Sequence, residues 1–231
     1  ELVAEHARGD QHAFASSLRW AADSMTLLLV PLSALCVALA VPAMTVLAFG
    51  QANDRQSIEL LSVALISLGV GMLPYGLFFL WSRAFYVLGD SRSPALWGAA
   101  ASSVGVLVML VAGATTSDTT TVFVLGLAHS LSFVLGCVAL LVALHRRTGQ
   151  WVLPRAFPGS LLLSTVGGLV VWAVHEVWSP SGKIGAVVSL AVLVPLFASI
   201  YLGGARLLGM SVTQRIPGHA RSGSSAPEGA G

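Results

Sequence analysis

Charge is what this sequence lacks. Only 10% of its 231 residues are Asp, Glu, Lys or Arg, against about a quarter in an ordinary soluble domain. With 55% hydrophobic residues and a mean hydropathy of +0.83, one soluble core cannot hide the apolar surface, so a bilayer is the expected solvent. A net charge of +2 and the absence of a basic cluster interleaved with aromatics exclude nucleic acid as a partner. Cysteine is scarce too. Cys36 and Cys137 both sit inside apolar runs and read as small buried hydrophobes, not as a disulfide or a metal pair. There is no Gly-x-x-x-x-Gly-Lys-Ser/Thr loop, no His-Glu-x-x-His and no Cys-x-x-Cys. No loop gathers the acidic residues an intramembrane enzyme would use. Neither a cofactor nor an enzymatic activity is expected. No signal peptide precedes the first apolar run and the chain starts at Glu1, so it is expected to be a piece of a longer protein.

What is present is six apolar runs, over residues 24–49, 58–88, 95–114, 121–144, 159–177 and 184–208. Each falls within or exceeds the roughly 17–25 residues a spanning helix needs. The expected fold is therefore an all-α polytopic membrane protein with six transmembrane helices. Residues 1–23 read as a polar lead-in, and 210–231, rich in Ser, Gly, Ala and Pro, as a disordered tail leading to a further cytoplasmic domain. The first run carries Pro31 and Pro42, tolerable where neighbours satisfy the freed carbonyls. The second is overlong and carries Gly69, Gly71, Pro74 and Gly76 near its middle, which predicts a kink. Arg8, Arg19, Arg83, Arg92, Arg146, Arg147, Arg155, Arg206, Arg215 and Arg221 fall on one side of the runs, and only Arg55 and Lys183 on the other. The positive-inside rule then predicts that both chain ends and the 83–94 turn are cytoplasmic. Small residues recur four apart, as in Ala101/Gly105, Gly126/Ser130, Ser132/Gly136 and Ser199/Gly203, which predicts close helix packing.

The candidate functional residues are few. Arg83, Asp90 and Arg92 concentrate charge in the turn between the second and third runs. They can bridge one another, anchor the turn at the headgroups or gate a pathway. Ser93 is placed to cap the following helix, with Pro94 in its first turn. His129 is an ionisable group well inside the fourth run, where such groups are costly and often functional. Asp23 reads as a carboxylate in the first turn of a helix. His175-Glu176 stands at the outer end of the fifth run, within reach of headgroup water.

The run Arg83-Ala84-Phe85-Tyr86-Val87-Leu88-Gly89-Asp90-Ser91-Arg92-Ser93-Pro94 resembles a motif of the MurJ (MviN) lipid II flippases, within the superfamily of multidrug and polysaccharide exporters. Ser91 and Ser93 stand where that family has threonine, which keeps the hydroxyls. Residues 4–14 resemble the connection after the family's eighth span. Leu-Val-Pro at 29–31 and Val-Pro-Ala-Met-Thr-Val-Leu-Ala-Phe-Gly at 41–50 resemble its ninth. The six runs then resemble spans nine to fourteen, the distal part of a two-lobe flippase bundle in the bacterial inner membrane. The resemblance implies that 24–147 form a four-helix part of the second lobe and 148–209 two further helices framing a lipid-tail groove. It also implies an undecaprenyl-linked peptidoglycan precursor as cargo, with membrane lipids and the upstream spans of the same protein as partners. A related exporter with another cargo, or a membrane scaffold recruiting cell-wall synthesis partners, are the alternative readings.

Overall fold

A computed structural model describes residues 11–48, 54–178 and 182–210. The expected disordered tail, apart from Met210, and the first ten residues of the lead-in lie outside them. Every regular element among the described residues is a helix. In chain order they are α1 (Gln11–Ala38), α2 (Ala40–Leu47), α3 (Arg55–Gly69), α4 (Met72–Val87), α5 (Arg92–Thr115), α6 (Asp118–Thr148), α7 (Phe157–Trp178) and α8 (Gly182–Leu207). Five helices are long and apolar enough to cross a membrane by themselves, and α3 with α4, bent by 43°, passes the same test as a pair, which gives six spans if that pair counts as one. The all-α polytopic fold expected from hydropathy is the fold found.

The first helix begins thirteen residues before the apolar run that marks it in the sequence. Phe14, Leu18 and Ala22, spaced four apart, are buried, so the lead-in's second half already carries a packed helical stripe. That stripe joins Trp81 and Phe85 of α4 with Leu140 and Leu144 of α6 in one apolar cluster. A second cluster combines Leu39 with Val171 of α7 and Leu193, Phe197 and Tyr201 of α8. Thus α3 to α6 form one packed group, α7 and α8 lean on α1 and α2, and α1 belongs to both.

Lipid supplies no hydrogen bonds, so each break in a helix must be repaired from within the protein. Pro42 has no N–H for the carbonyl of Ala38, and the helix breaks at Leu39 and restarts at Ala40. Pro31 removes the donor from the carbonyl of Leu27, and the Tyr201 hydroxyl of α8 donates to that carbonyl at 2.9 Å. Ser160 of α7 bonds the same hydroxyl at 2.8 Å. The predicted kink lies at Val70-Gly71, where the Gly71 N–H turns to Leu68 instead of Ser67. The carbonyl of Ser67 is met by Ser130 Oγ of α6 at 2.8 Å.

Small residues make those reaches possible. A side chain at Gly71 would collide with Ser130, at Gly105 with Ser132, and at Gly126 with Ser67. The spacing pattern therefore marks real contacts along α6. It fails at Ser199/Gly203, because nothing lies within 4 Å of a Cβ placed at Gly203. Both cysteines are free.

Tyr201→Phe and Ser130→Ala each strand a backbone carbonyl inside the bundle. Each is expected to cost about 0.5–2 kcal/mol, measured as loss of stability in a detergent unfolding titration. Ser199→Ala, which only removes a bond to its own helix at the Pro195 carbonyl, is expected to cost little by comparison.

Candidate functional site at the α4–α5 turn

The turn is built by two helix ends sharing one residue. Gly89 takes a left-handed φ of 73°, which glycine adopts without strain. Its N–H donates to Tyr86 O at 3.1 Å and the Asp90 N–H donates to Phe85 O at 2.9 Å, closing the end of α4 in the paired pattern that terminates many helices. The side chain of the same Asp90 then opens α5. Its Oδ1 accepts from the Arg92 and Ser93 N–H groups, both at 3.0 Å, and its Oδ2 from Ser93 Oγ at 2.6 Å. The cap expected of Ser93 is thus made by Asp90: the carboxylate lies two and three residues before the free N–H groups, and Ser93 is already inside the first turn. Pro94 occupies that first turn, as expected.

Asp90 does not pair with Arg83 or Arg92. Its Oδ2 meets Arg147 Nη2, from the last turn of α6, at 2.6 Å. The Arg147 guanidinium also lies over the Phe85 ring, 5.7 Å from its centroid. The Asp90 side chain is 11% exposed and that of Arg147 49%, so the carboxylate is sheltered while the cation is screened by solvent. Hydrogen bonds from Ser93 hold the Asp90 carboxyl below its usual range, with the Arg147 charge a smaller contribution. Arg83 and Arg92 are both exposed, and among the described residues neither finds an acidic partner.

Next to this pair, the α6–α7 connection is strapped to α1. Arg19 Nη2 donates to Trp151 O at 2.6 Å, and Gln150 Nε2 lies 2.9 Å from His12 Nδ1. Asp23 Oδ1 accepts from the Ala156 N–H at 2.9 Å. Asp23 is therefore not in the first turn of its own helix, which starts at Gln11; it caps the start of α7 from outside. His145 stacks on Trp151 with centroids 4.1 Å apart. These contacts gather Arg19, Asp90 and Arg147 at one end of the bundle. At the other end, Lys183 Nζ donates to Ala48 O at 2.7 Å.

A family model described as the lipid II flippase MurJ matches residues 1–193. The chain belongs to that family. No curated protein matches it. Membership carries a lipid II flippase role in general terms, within peptidoglycan biosynthesis. It also carries a multi-pass place in the bacterial inner membrane, with the undecaprenyl-linked precursor and membrane lipids as the molecules handled.

In this MurJ-family chain the four candidate residues do not form one site. Arg83, Asp90 and Arg92 share the turn, whereas His129 is exposed on α6, its ring edge-on to Phe133 at 5.0 Å. Arg147 went unremarked among the candidates. The available signal was charge: the Lys/Arg distribution puts Arg146 and Arg147 on the side of Asp90, the lone carboxylate of the α4–α5 and α6–α7 connections.

Because the folded carboxyl titrates below an ordinary one, Asp90 contributes stability that is complete above the usual carboxylate value of 3.8. That contribution is lost as pH falls through the lower folded value. Asp90→Asn should therefore be less stable than wild type at neutral pH, and the gap should narrow on acidification from about pH 5 downward. Thermal unfolding in detergent across that range measures it, and a pH-independent gap would contradict the assignment.

Proposed function

We propose that this chain is the distal part of a flippase that carries an undecaprenyl-linked disaccharide-pentapeptide from the inner to the outer leaflet by alternating access of two six-helix lobes. On this reading α1 to α6 form a four-helix-span part of the second lobe, counting α1–α2 and α3–α4 as one span each. The α7–α8 pair then frames a groove for the lipid tail. The arginine-rich end faces the cytoplasm, as the uneven distribution of Lys and Arg favours.

The observation that carries the proposal is that Asp90 is already committed. It ties the α4–α5 turn to Arg147 and caps α5, both inside its own packed group. That makes it a clasp, and leaves Arg83 and Arg92 as the exposed cations of the turn. A guanidinium at that position suits a phosphate oxygen of an anionic substrate or a carboxylate on a facing lobe. We assign Arg92 and Arg83 to the gate and Asp90 with Arg147 to positioning them.

The test is lipid II labelled by leaflet in cells that depend on the full-length protein. Arg92→Ala is expected to lower outer-leaflet lipid II about tenfold or more, and Arg55→Ala less than twofold. Asp90→Asn is expected to fall between them. Equal tolerance of Arg92→Ala and Arg55→Ala would leave the turn a simple anchor, and unchanged outer-leaflet lipid II on depletion would remove the flippase reading altogether.

A further inference from the structure

The two repaired helix breaks differ in one respect. Pro31 carries no N–H, so the carbonyl of Leu27 needs the Tyr201 hydroxyl at all times. At the α3–α4 junction no donor is missing. The residue four places after Ser67 is Gly71, whose N–H is intact and merely turned to Leu68 O at 3.0 Å, while Ser130 Oγ donates to Ser67 O at 2.8 Å. The carbonyl of Ser67 thus has two available donors, one on its own span and one on α6.

Neither donor is stranded when the other takes over. With Gly71 back on Ser67 O, Ser130 Oγ can turn to the carbonyl four residues before it, that of Gly126. Ser103, Ser189 and Ser199 make that bond on their own helices. The backbone change is small. Val70 is already helical at φ −59° and ψ −33°. Gly71, at φ −81° and ψ −5°, needs a turn of about 40° in ψ to rejoin the helix. The bond from Val70 N–H to Ile66 O is already stretched to 3.4 Å. Against straightening, the Pro74 ring crowds the Val70 carbonyl in a regular helix. Pro74 and Ser130 therefore both favour the 43° bend.

The two halves of the span are held unequally. Leu73, Leu77, Leu80, Trp81 and Phe85 of α4 are buried, and the end of α4 is clasped to α6 through Asp90 and Arg147. By contrast, α3 buries only the small residues Ser62, Ser67 and Gly69. Its closest approach to α6 is Ser67 on Gly126, directly beside Ser130 on Gly71. Small residues at the crossing let one helix pivot on the other. We infer that the α3–α4 junction is a two-position hinge: α3 swings about Ser67 and Gly71, and Ser67 O exchanges Ser130 Oγ for the Gly71 N–H as the span straightens. The swing moves the end of α3 that carries Arg55, opposite the Asp90–Arg147 clasp. One end of the bundle can thus open while the other stays closed. The inference rests on the hydrogen-bond geometry and not on what cargo is carried.

Spin labels on Glu59→Cys and Thr120→Cys test it in the full-length protein in lipid nanodiscs, with Cys36 and Cys137 replaced by Ala. Both positions are exposed. Glu59 lies about 18 Å along the helix from Gly71, so each 20° of straightening carries it about 6 Å. The inter-label distances should fall into two populations at least about 5 Å apart. Ser130→Ala and Pro74→Ala should each raise the straight population at least threefold. Ser132→Ala, whose hydroxyl serves the His129 carbonyl of its own helix, should leave the populations unchanged. A single distance, the same in wild type and both hinge variants, would overturn the inference. So would a Ser130→Ala protein whose populations shift no more than those of Ser132→Ala.

Discussion

A carbonyl that loses its helical donor in a bilayer has nowhere to turn except to another side chain of the protein, and this constraint organises the bundle. Pro31 and the Val70-Gly71 break both free carbonyls. The Tyr201 and Ser130 hydroxyls, from α8 and α6, are the donors that reach the carbonyls of Leu27 and Ser67. Each bond is modest, of order 1 kcal/mol or less in membrane proteins. What each fixes is which helix sits against which. The Tyr201 bond, together with Ser160, sets α8 and α7 against α1; the Ser130 bond holds α6 against the kinked α3–α4 span. Where the interface is made of Gly and Ser, the backbones come close enough for such short side chains to reach across.

The same economy shows at the arginine-rich end. One residue, Asp90, ends α4 through its N–H, starts α5 through its carboxylate and pairs with Arg147 on α6. Three helices are registered by a single residue. Arg19 and Asp23 do the equivalent for the α6–α7 connection against α1. Polar side chains there act on backbone ends more than on one another: among the described residues Asp90–Arg147 is the one carboxylate–guanidinium pair. Arg83 and Arg92 stand exposed on that turn and, among the described residues, without an acidic partner.

Most of the fold was legible, because hydropathy alone reveals spans when water is not the solvent. The all-α polytopic fold, the kink near Gly71 and the family followed from runs, glycines and the Arg83–Pro94 motif. The start of α1 did not, because its first turns bury Phe14 and Leu18 against protein with polar residues between them, and such a stripe carries little mean hydropathy. Nor did the partner of Asp90, since Arg147 lies 57 residues away and only the packing of α6 against α4 brings it near. The cap at Ser93 was misplaced by three residues because Asp and Ser serve equally well at helix starts, and the left-handed Gly89 decides which is in reach.

The claim on which the rest stands is that Tyr201 exists to serve the carbonyl that Pro31 frees. A double-mutant cycle with Pro31→Ala and Tyr201→Phe, read as unfolding free energy in detergent, measures it. Restoring the N–H at position 31 should remove most of the cost of Tyr201→Phe, giving a coupling of about 1 kcal/mol. Strictly additive effects of the two substitutions would contradict the account.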